Sequence, residues 1–142
     1  MTGLCIAAGS FDTTAAIKRI AGRLACSNQS LGKETPNPSL AIANTWHASM
    51  KHMRAPCTFD NGLVCAVSGE IFDDFGLLRE PEQLIAELYK NNHLHKTAWL
   101  NGSFRIGLID PNKNRVILIT DRLGSKPMFV WHNNRALIAS SR

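Results

Sequence analysis

Residues 100–128 read LNGSFRIGLIDPNKNRVILITDRLGSKPM. Residues 67–72, some thirty positions earlier, read VSGEIF. In the longer stretch two apolar runs, 104–109 and 116–120, flank Asp110-Pro111-Asn112-Lys113-Asn114. Turn formers between apolar runs predict an antiparallel hairpin. Residues 116–119 are Val, Ile, Leu and Ile, apolar at every position. A strand of that composition needs cover on both faces, so helices or a second sheet must lie on either side.

The rest of the chain extends this pattern. Asn61-Gly62 is a turn signal, and residues 63–67 follow as a strand that Ser68-Gly69-Glu70 ends. Residues 128–131 and 136–139, joined through Asn133-Asn134, read as a last hairpin. Residues 3–11 form a small-residue apolar strand, and residues 40–46 another. Asp12, Thr13 and Thr14 offer capping oxygens for a helix whose Ile17, Ile20, Ala21 and Leu24 share one face. Pro81 suits a first helical position, and Leu84, Ile85, Leu88 and Tyr89 make the stripe of a second helix. Lys90-Asn91-Asn92 suits its C-terminus, and residues 94–100 add a further turn. The polar stretch 27–39 holds two prolines and reads as a loop, and residues 48–60 as irregular chain. About seven strands in hairpins with two or three helices argue for an α+β sandwich.

Composition narrows the function. The 142 residues suffice for one domain, 1–142, with a single core, and a hydrophobic fraction of 44% argues against disorder. The net charge of +5 is scattered rather than gathered into a stripe, which argues against nucleic-acid binding. The four cysteines form no CxxC pair, and His93-x-His95 has no evident third ligand, so no metal site is expected. Trp46, Trp99 and Trp131 are expected in the core or an interface. The N-terminus lacks the basic lead of a signal peptide, and no run is long enough to span a membrane. These features imply a cytoplasmic chain with reduced thiols.

The pieces VSGEIF, LNGSF and DRLGSKPM resemble, in order and spacing, the NGEIY, LNGxFAF and DRLGxKPLY of the N-terminal glutamine-hydrolysing domain of the asparagine synthetase family. The resemblance implies the four-layer αββα sandwich of N-terminal nucleophile hydrolases. It also implies a chemistry. In that family an N-terminal cysteine attacks the glutamine amide, with its own α-amine, of pKa roughly 8, as base.

Laid on the family start MCGIAGIF, this chain has Thr2 at the cysteine position. Removal of Met1 would make Thr2 an N-terminal nucleophile; the alternative is that Thr2 only begins a strand. Cys5 is a competing thiol, but its use needs cleavage after Leu4. The family's oxyanion donors are the asparagine side chain and glycine amide of NGE, and loss of one donor costs on the order of 3 kcal/mol of barrier. Here Ser68-Gly69-Glu70 stand there, so Ser68 supplies a shorter donor and Gly69 is kept.

The arginine that clamps the substrate carboxylate in the family's RLSI-like strand has no counterpart in 40–47, and Arg54 lies in the loop beyond. For the amine clamp Glu80 and Glu82 are the candidates, in a broken pattern. The HRGPD loop is absent. The scaffold motifs remain: Asn101-Gly102, Phe104, Asp121-Arg122, Gly124 and Lys126-Pro127, with Asp121 and Arg122 expected to pin a turn.

The resemblance is therefore closest in character to members whose glutaminase has decayed, such as β-lactam synthetases and lasso-peptide cyclases. It implies a structural domain with no cofactor of its own, attached in cis or trans to a synthetase domain. That partner would use ATP and magnesium to activate a peptide or amino-acid carboxylate. One alternative is an active amidotransferase using Thr2. Another is a standalone interaction module without enzymatic activity.

Overall fold

The computed structural model describes residues 2–25, 29–50 and 54–142. Strand β1 (Gly3–Gly9) is followed by helix α1 (Thr13–Leu24), then β2 (Gln29–Asn37), β3 (Leu40–His47) and the short β4 (Cys57–Thr58). Next come β5 (Val64–Asp73), the short β6 (Gly76–Leu77), helix α2 (Pro81–Lys90) and a 3-10 segment (Leu94–Trp99). The chain closes with β7 (Asn101–Asp110), β8 (Arg115–Thr120), β9 (Phe129–His132) and β10 (Ala136–Ser140).

The strands form two antiparallel sheets. One has the order β2-β3-β1-β10-β9, and the other β4-β5-β7-β8 with β6 paired to β5. Alternation along each strand divides the apolar residues among three layers of core. Leu4, Ile6, Leu40, Ile42, Val64, Ala66 and Ile109 meet between the sheets. Cys5, Ala7, Ala41 and Ala43 face the opposite way and bury Ile17, Ala21 and Leu24 of α1. Cys65, Val67, Phe104, Ile106 and Leu108 face Ile85 and Ala86 of α2. The result is the α+β sandwich expected, with the layers helix, sheet, sheet, helix.

Local chemistry explains the helices. Asp12 accepts the Ala15 N–H at 2.8 Å and so caps α1. Ile17 is 1% exposed under it, a burial that contributes roughly 2 kcal/mol. Pro81 opens α2, and Tyr89 near its end donates to Asp110 of β7 at 2.7 Å.

Four expectations need correction. Residues 29–37 are not a loop but the edge strand β2, with a register shift between Glu34 and Asn37 that accommodates Pro36. An edge strand tolerates polar residues, and a bulge there tolerates proline. Ser68-Gly69-Glu70 do not end their strand; β5 runs on to Asp73 because nearly its whole length pairs with β7. Residues 116–119 contact both layers, Ile117 and Ile119 on the α2 side and Val116 and Leu118 between the sheets. Because β8 is an edge strand, all four stay only half-buried. Of the core-or-interface expectation for the tryptophans, the core half fails for Trp99 (78% exposed) and Trp131 (55% exposed). Cys26 lies outside the described residues.

Candidate active site

At one end of the sandwich, β1, β5 and β7 converge between the two sheets. Thr2 precedes β1 and is buried; Ser68 of β5 is fully buried; Arg105 of β7 is 7% exposed. Ser68 and Arg105 are direct cross-strand partners, so the register of β5 on β7 sets their contact.

The Ser68 hydroxyl donates to Thr2 Oγ1 at 2.9 Å, and Arg105 Nε donates to Ser68 Oγ at 3.3 Å. Arg105 Nη2 donates to the Thr2 carbonyl at 2.8 Å, and Nη1 to the Pro127 carbonyl at 3.0 Å. One guanidinium thus ties the N-terminus, the SGE segment and the DRLGSKP segment together. It has no acidic partner among the described residues. Burial, and then the neighbouring Arg142, push its pKa below the usual range.

Gly69 adjoins this cluster at φ +121°. A Cβ there would run into the carbonyl oxygen of Ser103 and the backbone of Phe104. Gly102, at φ +146°, meets the Glu70 carbonyl in the same way from the opposite strand. Each glycine thus permits a backbone approach that no side chain would. Glu70 follows Gly69, half-buried.

Asn44 of β3 faces the same interior. Its Nδ2 donates to the Val67 carbonyl at 3.0 Å and to the Arg54 carbonyl at 3.1 Å. Its Oδ1 is buried with no hydrogen-bond donor among the described residues.

The DRLGSKP turn is pinned by Asp121. Its Oδ1 accepts from the Leu123 and Ser125 N–H groups, each at 3.1 Å. Its Oδ2 accepts from the Ser125 hydroxyl at 2.6 Å and the Phe104 N–H at 3.3 Å. Burial alone would raise this carboxyl, but the Ser125 hydroxyl and the backbone donors outweigh it and hold the pKa at about 2. Gly124 takes φ +63° in this turn. Arg122 is exposed, with no hydrogen-bond or ion-pair partner among the described residues, so of the expected pair only Asp121 pins the turn. Asn101 and Gly102 open β7 on the exposed rim.

The remaining candidates lie apart. Cys5 is fully buried in the layer under α1, and burial pushes its thiol up to about 12, which leaves no thiolate for attack. Arg54 forms a surface pair with Glu80 at 3.5 Å. Glu82 is 5% exposed at the start of α2, where burial raises its pKa. Its electrostatic neighbours include Cys57 and Cys65, on the α2 side of the sheet rather than between the sheets. The His93 and His95 rings meet edge to face at 6.0 Å, and no group of three metal-binding side chains occurs among the described residues. Nor is any helix among those residues long and apolar enough to cross a membrane.

Sequence reasoning passed over Arg105 and Asn44. For Arg105 the signal was present: a cation inside the apolar run 104–109, where the LNGxFAF pattern has alanine. Asn44 offered less, since one amide in a strand is ordinary.

Residues 47–142, more than half of the chain, match the family described as glutamine amidotransferase domain. The chain is also 30% identical over 92 residues to asparagine synthetase [glutamine-hydrolyzing] 2 of Bacillus subtilis (strain 168). That alignment takes in 58% of this chain but only 12% of the relative. The matched segment carries the SGE strand, the LNGSF strand and the DRLGSKP turn, the three pieces that converge on Arg105. With its two facing sheets and outer helices, the chain belongs to the glutamine amidotransferase domain family, of the class II, N-terminal kind found in asparagine synthetase.

Proposed function

We propose that this domain no longer hydrolyses glutamine and acts as the structural partner of an ATP-dependent, asparagine synthetase-like amidoligase domain, in cis or in trans. The observation that carries this reading is the guanidinium of Arg105, bonded at once to Ser68 Oγ and to the Thr2 carbonyl. Amide attack needs a free nucleophile, a base beside it and vacant donors for the developing oxyanion. Here the candidate donor Ser68 gives its proton to the candidate nucleophile Thr2. Arg105 stands where the family pattern has a small alanine, and its three hydrogen bonds hold the site together. No arginine projects from β3 to clamp a substrate carboxylate.

In this reading the partner domain activates a peptide or amino-acid carboxylate with ATP and magnesium, and an amine of the substrate attacks it, as in lasso-peptide or β-lactam ring closure. Ammonia is then unnecessary, and the glutamine site is free to close. The domain, 1–142, is a folding and docking unit in the cytoplasm.

The Ser68–Thr2 contact favours a second reading, an amidotransferase with Thr2 as nucleophile once Met1 is removed. Glutamate release from glutamine separates the two, measured on protein whose intact mass shows a free Thr2 amine. No release, with an ATP-binding synthetase chain co-purifying or a native mass far above 15.6 kDa, supports the structural role. Release that disappears in Thr2→Ala establishes the amidotransferase instead.

A further inference from the structure

The sheet β2-β3-β1-β10-β9 is only half covered on its outer face. Helix α1 packs over β1 and β3. Beside it, among the described residues, no helix covers β10 and β9, and β9 is exposed along its length. Trp131 is 55% exposed, and Phe129 on the same face is exposed as well. Two adjoining recesses of about 340 and 240 Å³ run along this strip and share Ile138. Their apolar lining comes from Phe11, Ala16, Ile20, Trp131 and Ile138. Their charged lining is Arg19, Arg23 and Arg135. Neither α1 nor residues 128–142 contain an aspartate or glutamate.

We propose that this groove docks an amphipathic helix of a protein partner, apolar on one face and flanked by aspartates and glutamates. The width fits a helix: two strands at about 4.8 Å spacing leave a strip of about 10 Å, close to one helix diameter. A helix laid there would pack against α1 at an ordinary interhelical distance and complete the outer layer. Added-strand pairing on β9 is disfavoured because that strand has only four residues. The charge selects the occupant. Three arginines along the walls with no acid among them oppose a basic or neutral helix and favour an acidic one. The same charge opposes a second copy of this basic chain.

The test uses the 142-residue chain and synthetic helical peptides of about 18 residues, with leucines at i, i+3, i+4 and i+7. One peptide carries glutamates beside the stripe, one carries lysines, and one is a scrambled acidic control. Calorimetric titration should show the acidic helix binding at least about tenfold more tightly than the lysine helix, with an advantage that shrinks as salt rises. The exposed charge swap Arg19→Glu with Arg23→Glu should reverse that ranking, and Trp131→Ala should weaken the acidic helix at least about tenfold while circular dichroism stays unchanged. Equal binding of the acidic and scrambled peptides, or a ranking untouched by the charge swap, overturns the proposal. So does concentration-dependent dimerisation abolished by Trp131→Ala, which would assign the groove to a second copy.

Discussion

Arg105 and Thr2 lie 103 positions apart in the chain, yet Arg105 Nη2 reaches the Thr2 carbonyl at 2.8 Å. The bond joins the residue just before β1 of one sheet to a central strand of the other. It fixes the position of Thr2 beside Ser68 of β5. A guanidinium buried without a carboxylate is costly unless its donors are used. Here Thr2, Ser68 and Pro127 accept three of them.

Replacing Arg105 should therefore loosen the fold rather than free the chemistry. Arg105→Ala removes charge-assisted hydrogen bonds that are individually worth about 1.5–3 kcal/mol, offset by relief of charge burial. The expected net loss is about 2 kcal/mol in urea unfolding, with no glutamate release from glutamine. A stable variant that gained glutaminase activity would show that the arginine had been blocking an otherwise competent site.

Asp121 makes stability depend on acid. Its carboxyl titrates at about 2 in the fold against an ordinary 3.8, so its contribution is complete above pH 3.8 and is lost as pH falls toward 2. The shift corresponds to about 2 kcal/mol. Asp121→Asn should be less stable at pH 7 and should approach the parent protein between pH 4 and pH 2. Parallel stability curves across that window would exclude Asp121 as the titrating group.

Gly69→Ala should cost at least about 2 kcal/mol, combining a positive-φ strain of about 1–3 kcal/mol with collision against β7. Gly22→Ala is the control, because nothing lies within 4 Å of a Cβ there. It should be neutral or slightly stabilising, by up to about 1 kcal/mol. Thermal melts of the two variants compare them directly.

Thiol chemistry should sort the cysteines by burial. Cys5, with its pKa pushed up to about 12, and the fully buried Cys65 should resist iodoacetamide at pH 8 until the protein unfolds. Cys57, half-buried on a short edge strand, should react before either of them. Peptide mapping at intervals reads the order, and early labelling of Cys5 would contradict the packing of α1 on its sheet.

Much of the architecture was open to reading. The 104–120 hairpin, the 128–139 hairpin and both helices follow from local signals: Asp-Pro-Asn and Asn-Asn turns, an Asp12 cap, a Pro81 start. Strand β2 was hidden because its residues are polar and Pro36 interrupts it; only pairing with β3 makes it a strand. The length of β5 was hidden because Ser-Gly-Glu resembles a strand end until β7 lies alongside it.

The sequence by itself determined the family, through SGE, LNGSF and DRLGSKP, because turn chemistry and strand patterning act over a few residues. It also laid Thr2 and Ser68 on the family's cysteine and asparagine positions. Only the tertiary structure decided that Thr2, Ser68 and Arg105 form one hydrogen-bonded cluster. Arg105 belongs to an apolar run, and nothing local announces that its guanidinium crosses to Thr2, Ser68 and Pro127. Those contacts depend on the register of β5 against β7 and on the stacking of the two sheets, which arise from the burial of the whole core.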